Sequence, residues 1–221
     1  YNLTSIRKDD DIIIKHFLDS LLYLKALPEG KIAVMDIGSG AGFPGIPLKI
    51  IRPEIRLFLV EPSRKKAGFL MHIVKTLRLE DVEVIEKRIE DVSGLKVDVA
   101  LTRALFDIGD FYKRACHLLK EGGRLILSKG PRFEEETKEI KGNLNFEILK
   151  LRLPLKDIYR YIVIVYPQVE PDKTTLKVSG SSEQRGAKGS KDANICFNID
   201  CRLRKAGCKG FEGCPGFKTR A

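Results

Sequence analysis

No run of about 20 apolar residues, the length a membrane-spanning helix needs, occurs in this 221-residue chain, and its opening "YNLTSIRKDD" is too polar for a signal peptide. The chain also lacks an initiator Met, so the N-terminus is expected to be truncated. Ahead of residue 196 there is one cysteine, Cys116, which leaves the main part of the chain without a disulfide framework. Histidine is scarce as well, and His16, His72 and His117 offer no obvious His–carboxylate pair at a strand end. Together these absences imply a cytoplasmic protein with no membrane contact. What the chain has in excess is positive charge: 40 Lys and Arg against 30 Asp and Glu, a formal +10, which favours a polyanionic partner and nucleic acid first. Solubility accounts for a basic balance too, so charge supports that reading without carrying it.

Along the chain the pattern alternates. Before Lys31, Ile12, Ile13, His16, Phe17, Leu21 and Leu24 follow helical spacing. Short β-rich runs then alternate with helical stretches: "IAVMDIG", "PLKIIRP", "RLFLVEP", "SRKKAGFLMHIVKTLRL" with Ser63 as N-cap, "DVEVIEKR", "VDVALTR", "FDIGDFYKRACHLLKEGG" stopped by Gly122 and Gly123, and "RLILSKG". A charged helix near "RFEEETKEIKG" leads to two adjacent β runs, "FEILKLRLPL" and "YRYIVIVYP", which predict an antiparallel hairpin at one edge. Such alternation predicts a mostly parallel α/β sheet with helices on both faces. The expected organisation is an N-terminal helical segment over 1–30, a main domain over 31–167, a Gly/Ser-rich flexible linker over 168–193 and a Cys-rich tail over 194–221.

The first strand-to-helix turn, "DIGSGAGFPGIP", is the place where open α/β sheets bind ligands. Glycine turns of this kind serve NAD, phosphate and S-adenosylmethionine. A dinucleotide fingerprint needs G-x-G-x-x-G, whereas Gly38, Gly40 and Gly42 run as G-x-G-x-G behind Asp36. No Lys-Ser or Lys-Thr follows, which disfavours a phosphate loop. Pro44 and Pro47 fit only the first turn of a helix, so the helix must begin beside them. Acid-x-G-x-G-x-G resembles motif I of class I S-adenosylmethionine-dependent methyltransferases, whose second strand ends in an acid for the cofactor ribose. Glu61, 23 residues after Gly38, stands there. A solvated strand-end carboxylate is the bland alternative for Glu61.

"DIGSGAGFPGIPL" is more specific than motif I, and "NLTSI", "HFLDSL", "VEPSRKKAGFL", "KRIED", "TRA" and "LSKG" follow in matching order. Over residues 1 to about 167 the chain resembles the bacterial 16S rRNA guanine-N7 methyltransferase family, also called glucose-inhibited division protein B. The resemblance implies the class I methyltransferase fold, Rossmann-like, with a mostly parallel seven-stranded sheet, an antiparallel edge hairpin and helices on both faces. It implies S-adenosylmethionine as cofactor, and as partner and substrate 16S rRNA or a small ribosomal subunit precursor, methylated on N7 of guanine 527; a monomer is the expected state. Family members carry helical sequence ahead of the "NLT" segment, which agrees with a truncated start.

The resemblance further implies that Asp36, Gly38, Gly40 and Phe43 line the cofactor pocket, that Glu61 holds the ribose, that Ile89 and Glu90 contact the adenine, and that Arg103 lies near methyl transfer. For Arg103 a strand-capping surface arginine is the alternative reading. Guanine N7 has an in-plane lone pair and no hydrogen, so no general base is required and no residue is assigned as catalytic beyond Arg103 as a candidate. Arg64, Lys65, Lys66 and Lys129 are the expected RNA contacts around the pocket mouth. His16 and Asp19 lie on one helix, which either covers the active site or touches RNA, or else makes only a local capping or packing contact. A catalytically inactive RNA-binding relative with the same fold is the competing function.

The tail places Cys196, Cys201, Cys208 and Cys214 as C-x4-C-x6-C-x5-C, with Arg202, Arg204, Lys205 and Lys209 between them. Four thiols so close together in a reducing compartment point to zinc or an iron–sulfur cluster, with two disulfides as the alternative. The family does not ordinarily carry this tail, and an accessory RNA- or ribosome-binding module is the expectation for it.

Overall fold

Period-two alternation of apolar side chains along the strands decides the architecture. The computed structural model describes residues 9–133, 135–137 and 144–167. The strands are β1 (Ala33–Ile37), β2 (Arg56–Val60), β3 (Val82–Ile85), β4 (Val97–Arg103), β5 (Leu119–Lys129), β6 (Asn145–Arg152) and β7 (Tyr159–Tyr166). They form one sheet in the order β3-β2-β1-β4-β5-β7-β6. β1 to β5 pair in parallel, while β7 runs antiparallel to both β5 and β6. The predicted edge hairpin is present, with β7 inserted between β5 and β6.

Alternate residues feed two cores. Val34, Leu57, Leu59, Val99, Leu101 and Ile126 pack on one face against Tyr23, Ile46 and Leu48 and against Leu70 of α4 (Arg64–Thr76). Met35, Phe58, Val60, Ala100, Leu125 and Leu127 pack on the other against Ile108, Phe111 and Ala115 of α5 (Ile108–Ala115). The order of strands reverses between β1 and β4, so their carboxyl ends open the crevice where such sheets bind ligands. The glycine turn leads from β1 across this crevice into α3 (Gly45–Ile51), with Pro44 at the N-cap and Pro47 in the first turn, as the proline argument requires.

Two local expectations are corrected. Gly122 and Gly123 do not stop a helix: α5 ends at Ala115, and both glycines lie inside β5. The β4–β5 register jumps from Val97↔Leu119 to Val99↔Arg124, and the extra residues of β5 bulge there. Gly122 has φ 72°, and a Cβ on Gly123 would lie 2.9 Å from the Lys120 carbonyl oxygen, so the glycines serve the bulge. Ser63 does occupy the N-cap of α4, yet its side chain makes no capping bond, and its N–H donates to Glu61 instead. The side chain of Asp107, in contrast, caps α5 by accepting from the Asp110 N–H at 2.6 Å. Of the charged helix expected near "RFEEETKEIKG", a 3-10 turn (Pro131–Phe133) and helical residues 135–137 are described. The linker over 168–193 and the tail with Cys196, Cys201, Cys208 and Cys214 lie outside the described residues.

The helical segment before β1 is built from α1 (Asp9–Ile12), a π-helical stretch (Ile13–Leu18), α2 (Asp19–Leu21) and a 3-10 turn (Leu22–Lys25). Its anchor is Tyr23, fully buried, whose hydroxyl donates to the Thr102 carbonyl at 2.6 Å. Thr102 Oγ1 in turn donates to the Ile37 carbonyl at 2.9 Å, which links the segment through β4 to the end of β1. Among the described residues no helix is long and apolar enough to cross a membrane. Tyr23→Phe keeps the ring and removes the hydroxyl, leaving the Thr102 carbonyl short of one donor. It should lower unfolding stability by about 1 kcal/mol in denaturant titration, and an unchanged midpoint would show that the hydroxyl bond adds nothing net.

Candidate active site

Backbone without side chains makes the floor of the crevice. Gly38, at φ 73°, adopts a conformation that L residues rarely take, and a Cβ there would overlap the side chain of Leu105. The Gly38 N–H donates to the Val60 carbonyl at 2.9 Å, so the turn is stitched to the end of β2. Two acids complete the stitching. Glu61, almost wholly buried, accepts the Gly40 N–H through Oε2 and the Ser63 N–H through Oε1, both at 3.0 Å. Asp36 accepts the Gly45 N–H through Oδ2 at 2.9 Å, at the start of α3. No side chain fits at Gly45, since a Cβ would lie 2.8 Å from Asp36 Oδ2.

Asp36 is fully buried, and its other oxygen, Oδ1, is inaccessible and has no hydrogen-bond partner. Burial raises its pKa to about 7 and the charge of Glu61 adds to the rise, while the Gly45 N–H, the charge of Arg103 and Ser39 act against it. A buried oxygen without a partner costs stability and leaves one acceptor unmet.

Arg103 closes the other side. It ends β4, donates to the Lys15 carbonyl at 3.3 Å, lies 3.7 Å from Asp19 and 3.2 Å from His16 Nδ1, and its guanidinium carbon is 5.4 Å from the centre of the Phe43 ring. Phe43 stacks with His16, centroids 5.0 Å apart, and meets Phe17 edge-on at 4.9 Å; the Phe43–Pro44 peptide is cis. The helical segment therefore lies against the glycine turn. Asp19 is buried between Arg103 and Arg160 of β7, whose Nε is 2.7 Å away.

The structure thus brings Asp36, Gly38, Gly40, Phe43, Glu61 and Arg103 to one crevice. Ile89, on a 3-10 turn after β3 (Ile89–Asp91), is buried in the same hydrophobic cluster as Ile37 and Val60. Glu90 beside it is exposed and pairs with Arg114 of α5. Arg64, Lys65 and Lys66 are exposed on the first turn of α4. Lys129 is set differently: its ammonium bonds to the Phe106 carbonyl at 2.6 Å and to Glu136 at 2.7 Å, with the side chain 11% exposed, so it ties two loops together. Leu105 and Arg160 were not singled out from the sequence. Leu105 follows "TRA" directly, a placement that gave a usable signal, whereas Arg160 meets Asp19 across 141 residues and left none.

Similarity to known proteins agrees with this geometry. A family model described as GidB, rRNA small subunit methyltransferase G, matches residues 1–157. The chain is 39% identical over 179 residues to the ribosomal RNA small subunit methyltransferase G of Caldanaerobacter subterraneus subsp. tengcongensis, covering 74% of this chain and 73% of that relative. It is 38% identical over 166 residues to the protein of the same description from Neisseria meningitidis serogroup B, covering 75% and 80%. Among solved structures, a ribosomal protein L11 methylase from Lactobacillus delbrueckii subsp. bulgaricus superposes with TM-score 0.55 at 17% identity, covering 68% of this chain and 77% of that one. A SAM-dependent methyltransferase from Aquifex aeolicus gives 0.53 at 18% identity, covering 72% and 93%. These two likenesses establish the class I methyltransferase fold, and the sequence matches establish more: the chain belongs to the rRNA small subunit methyltransferase G family.

Proposed function

We propose that this methyltransferase uses S-adenosylmethionine to methylate N7 of a guanine in 16S rRNA, either free or within a small-subunit precursor. The observation that carries the reading is the crevice itself: a side-chain-free turn at Gly38 and Gly40, the acid Glu61 bound to its backbone, and beneath it the unpartnered Asp36 Oδ1. The cofactor supplies an electrophilic methyl on a sulfonium, and its methionine end carries an ammonium. Those cationic groups suit the orphaned carboxyl of Asp36, while Glu61 retains acceptor capacity for ribose hydroxyls. Gly38, Gly40 and Phe43 line the cofactor, with Ile89 and Glu90 at the adenine. Arg103 stands beside the turn where the target base enters.

N7 needs no deprotonation, so the residues act by alignment in a preorganised site rather than by proton transfer. Arg64, Lys65 and Lys66 hold RNA phosphates without reading sequence. Lys129 keeps its expected role only if RNA displaces Glu136. The four cysteines of the tail hold zinc or an iron–sulfur cluster in an accessory RNA-binding module, an assignment that metal analysis finding neither element would remove.

The direct test is methyl transfer to 16S rRNA from cells without the endogenous enzyme. Label on guanine N7 is the expected product; label on an adenine or a ribose hydroxyl would overturn the position, and none at all would favour the inactive RNA-binding relative. Glu61→Gln should weaken S-adenosylmethionine binding by about 10- to 100-fold in calorimetry, the effect of losing a charged hydrogen-bond partner.

Asp36 adds a pH signature. Its folded pKa of about 7 lies above the ordinary 3.8, so the stability that its proton provides is complete below 3.8 and lost as pH rises through about 7. The thermal midpoint of the cofactor-free protein should therefore fall more steeply than that of Asp36→Asn as pH rises from about 4 to about 7. Parallel curves would mean that Asp36 does not hold the buried proton.

A further inference from the structure

His16 sits where two kinds of contact meet. Its ring stacks on Phe43 at an interplanar angle of 19°, and its Nδ1 lies 3.2 Å from an Arg103 nitrogen. A guanidinium has donors and no acceptor, so that contact is a hydrogen bond only when Nδ1 carries a lone pair. The imidazole is then neutral, with its proton on Nε2. A protonated His16 would turn an N–H toward the guanidinium and set two cations against each other.

We propose that His16 is a positioning residue for methyl transfer: as a neutral imidazole it accepts from Arg103 and fixes the guanidinium beside Phe43, and protonation releases it. The inference rests on the reading of Arg103 as a group at the transfer site. The surroundings agree with it. Charged groups facing His16 include Arg103 from β4 and Asp19 from its own segment, which is itself paired with Arg160 from β7. Lys15 pairs with Asp11 on the same segment, and Lys156 reaches Asp11 from the β6–β7 connection. Asp36 and Glu61 lie across the turn. Desolvation and the charge of Arg103 hold the His16 pKa below the usual 6.5, and Asp19 opposes them. The π-helical stretch Ile13–Leu18 contributes geometry, because its wider turn carries both His16 and Phe17 onto the single ring of Phe43.

Three variants and one spectroscopic readout test this on the full chain. His16→Phe keeps an aromatic ring on Phe43 and removes the acceptor; His16→Asn keeps an acceptor that does not titrate. At saturating cofactor, His16→Phe should lose about tenfold or more in kcat across the pH range, as misplaced groups do, and His16→Asn should recover most of that loss. The wild type should show an acid limb in kcat with its midpoint below 6.5 that is absent from His16→Asn, while any limb near 7 from Asp36 persists in both. Nitrogen-15 spectra of the cofactor-free protein should show His16 protonated on Nε2 and bare on Nδ1, with its titration moving upward in Arg103→Ala. An Nδ1–H tautomer, or an acid limb unchanged in His16→Asn, would overturn the proposal. If the expected tautomer and titration appear while no methyl reaches rRNA, the proposed reaction fails instead. The spectra decide the matter even where His16→Phe does not fold.

Discussion

Backbone from Gly38 to Gly42 is closed on itself by the Gly42 N–H donating to the Ser39 carbonyl at 2.7 Å, but its place over the sheet is set from outside. Two buried carboxylates set it. Asp36 fixes where α3 begins, and Glu61 binds Gly40 to the end of β2, so the floor of the crevice is set by acids on neighbouring strands. Everything else follows from that arrangement. The parallel register of β1 and β2 puts Asp36 beside Leu59 and so brings both acids to one end of the sheet. The cost is concentrated at Asp36, where one oxygen has no partner.

The second layer is the cluster around Arg103. A surface ion pair contributes little, but Asp19 is buried and shared by two guanidiniums, and Tyr23 fastens the same segment by a buried hydroxyl. The segment is thereby tied to β4 and β7 at once. Its aromatic contacts with Phe43 make the glycine turn and the helical segment parts of one surface, which is why a change at His16 or Phe17 should reach the chemistry.

Much of this was legible in the sequence because the signals were local. Period-two runs gave the strands, adjacent β runs gave the edge hairpin, and Pro44 and Pro47 fixed the start of α3 within a residue. The glycine spacing and Glu61 located the crevice. Signals that failed were those with two readings: Gly122 and Gly123 look like a helix stop, yet their freedom serves a bulge in β5 that only the pairing with β4 reveals. Ser63 has the right type for a cap, but Glu61 takes its N–H. Lys129 is a different case: its expected role stands as a proposal, and the structure adds a partner, Glu136, that spacing does not announce. The contacts of Asp19 and His16 were out of reach for the same reason, since both depend on how β4 and β7 converge.

The pairing of Asp19 with Arg160 spans 141 residues of chain. A ribosome building this protein releases the helical segment first and the residue that completes its charge pairing among the last of the sheet. β1 to β5 can assemble meanwhile, since each lies beside a strand already made, but β6 must wait for β7, which comes between it and the rest. The packing of the helical segment on the glycine turn thus reaches its final form after the parallel strands beneath it, once Arg160 of β7 has been made.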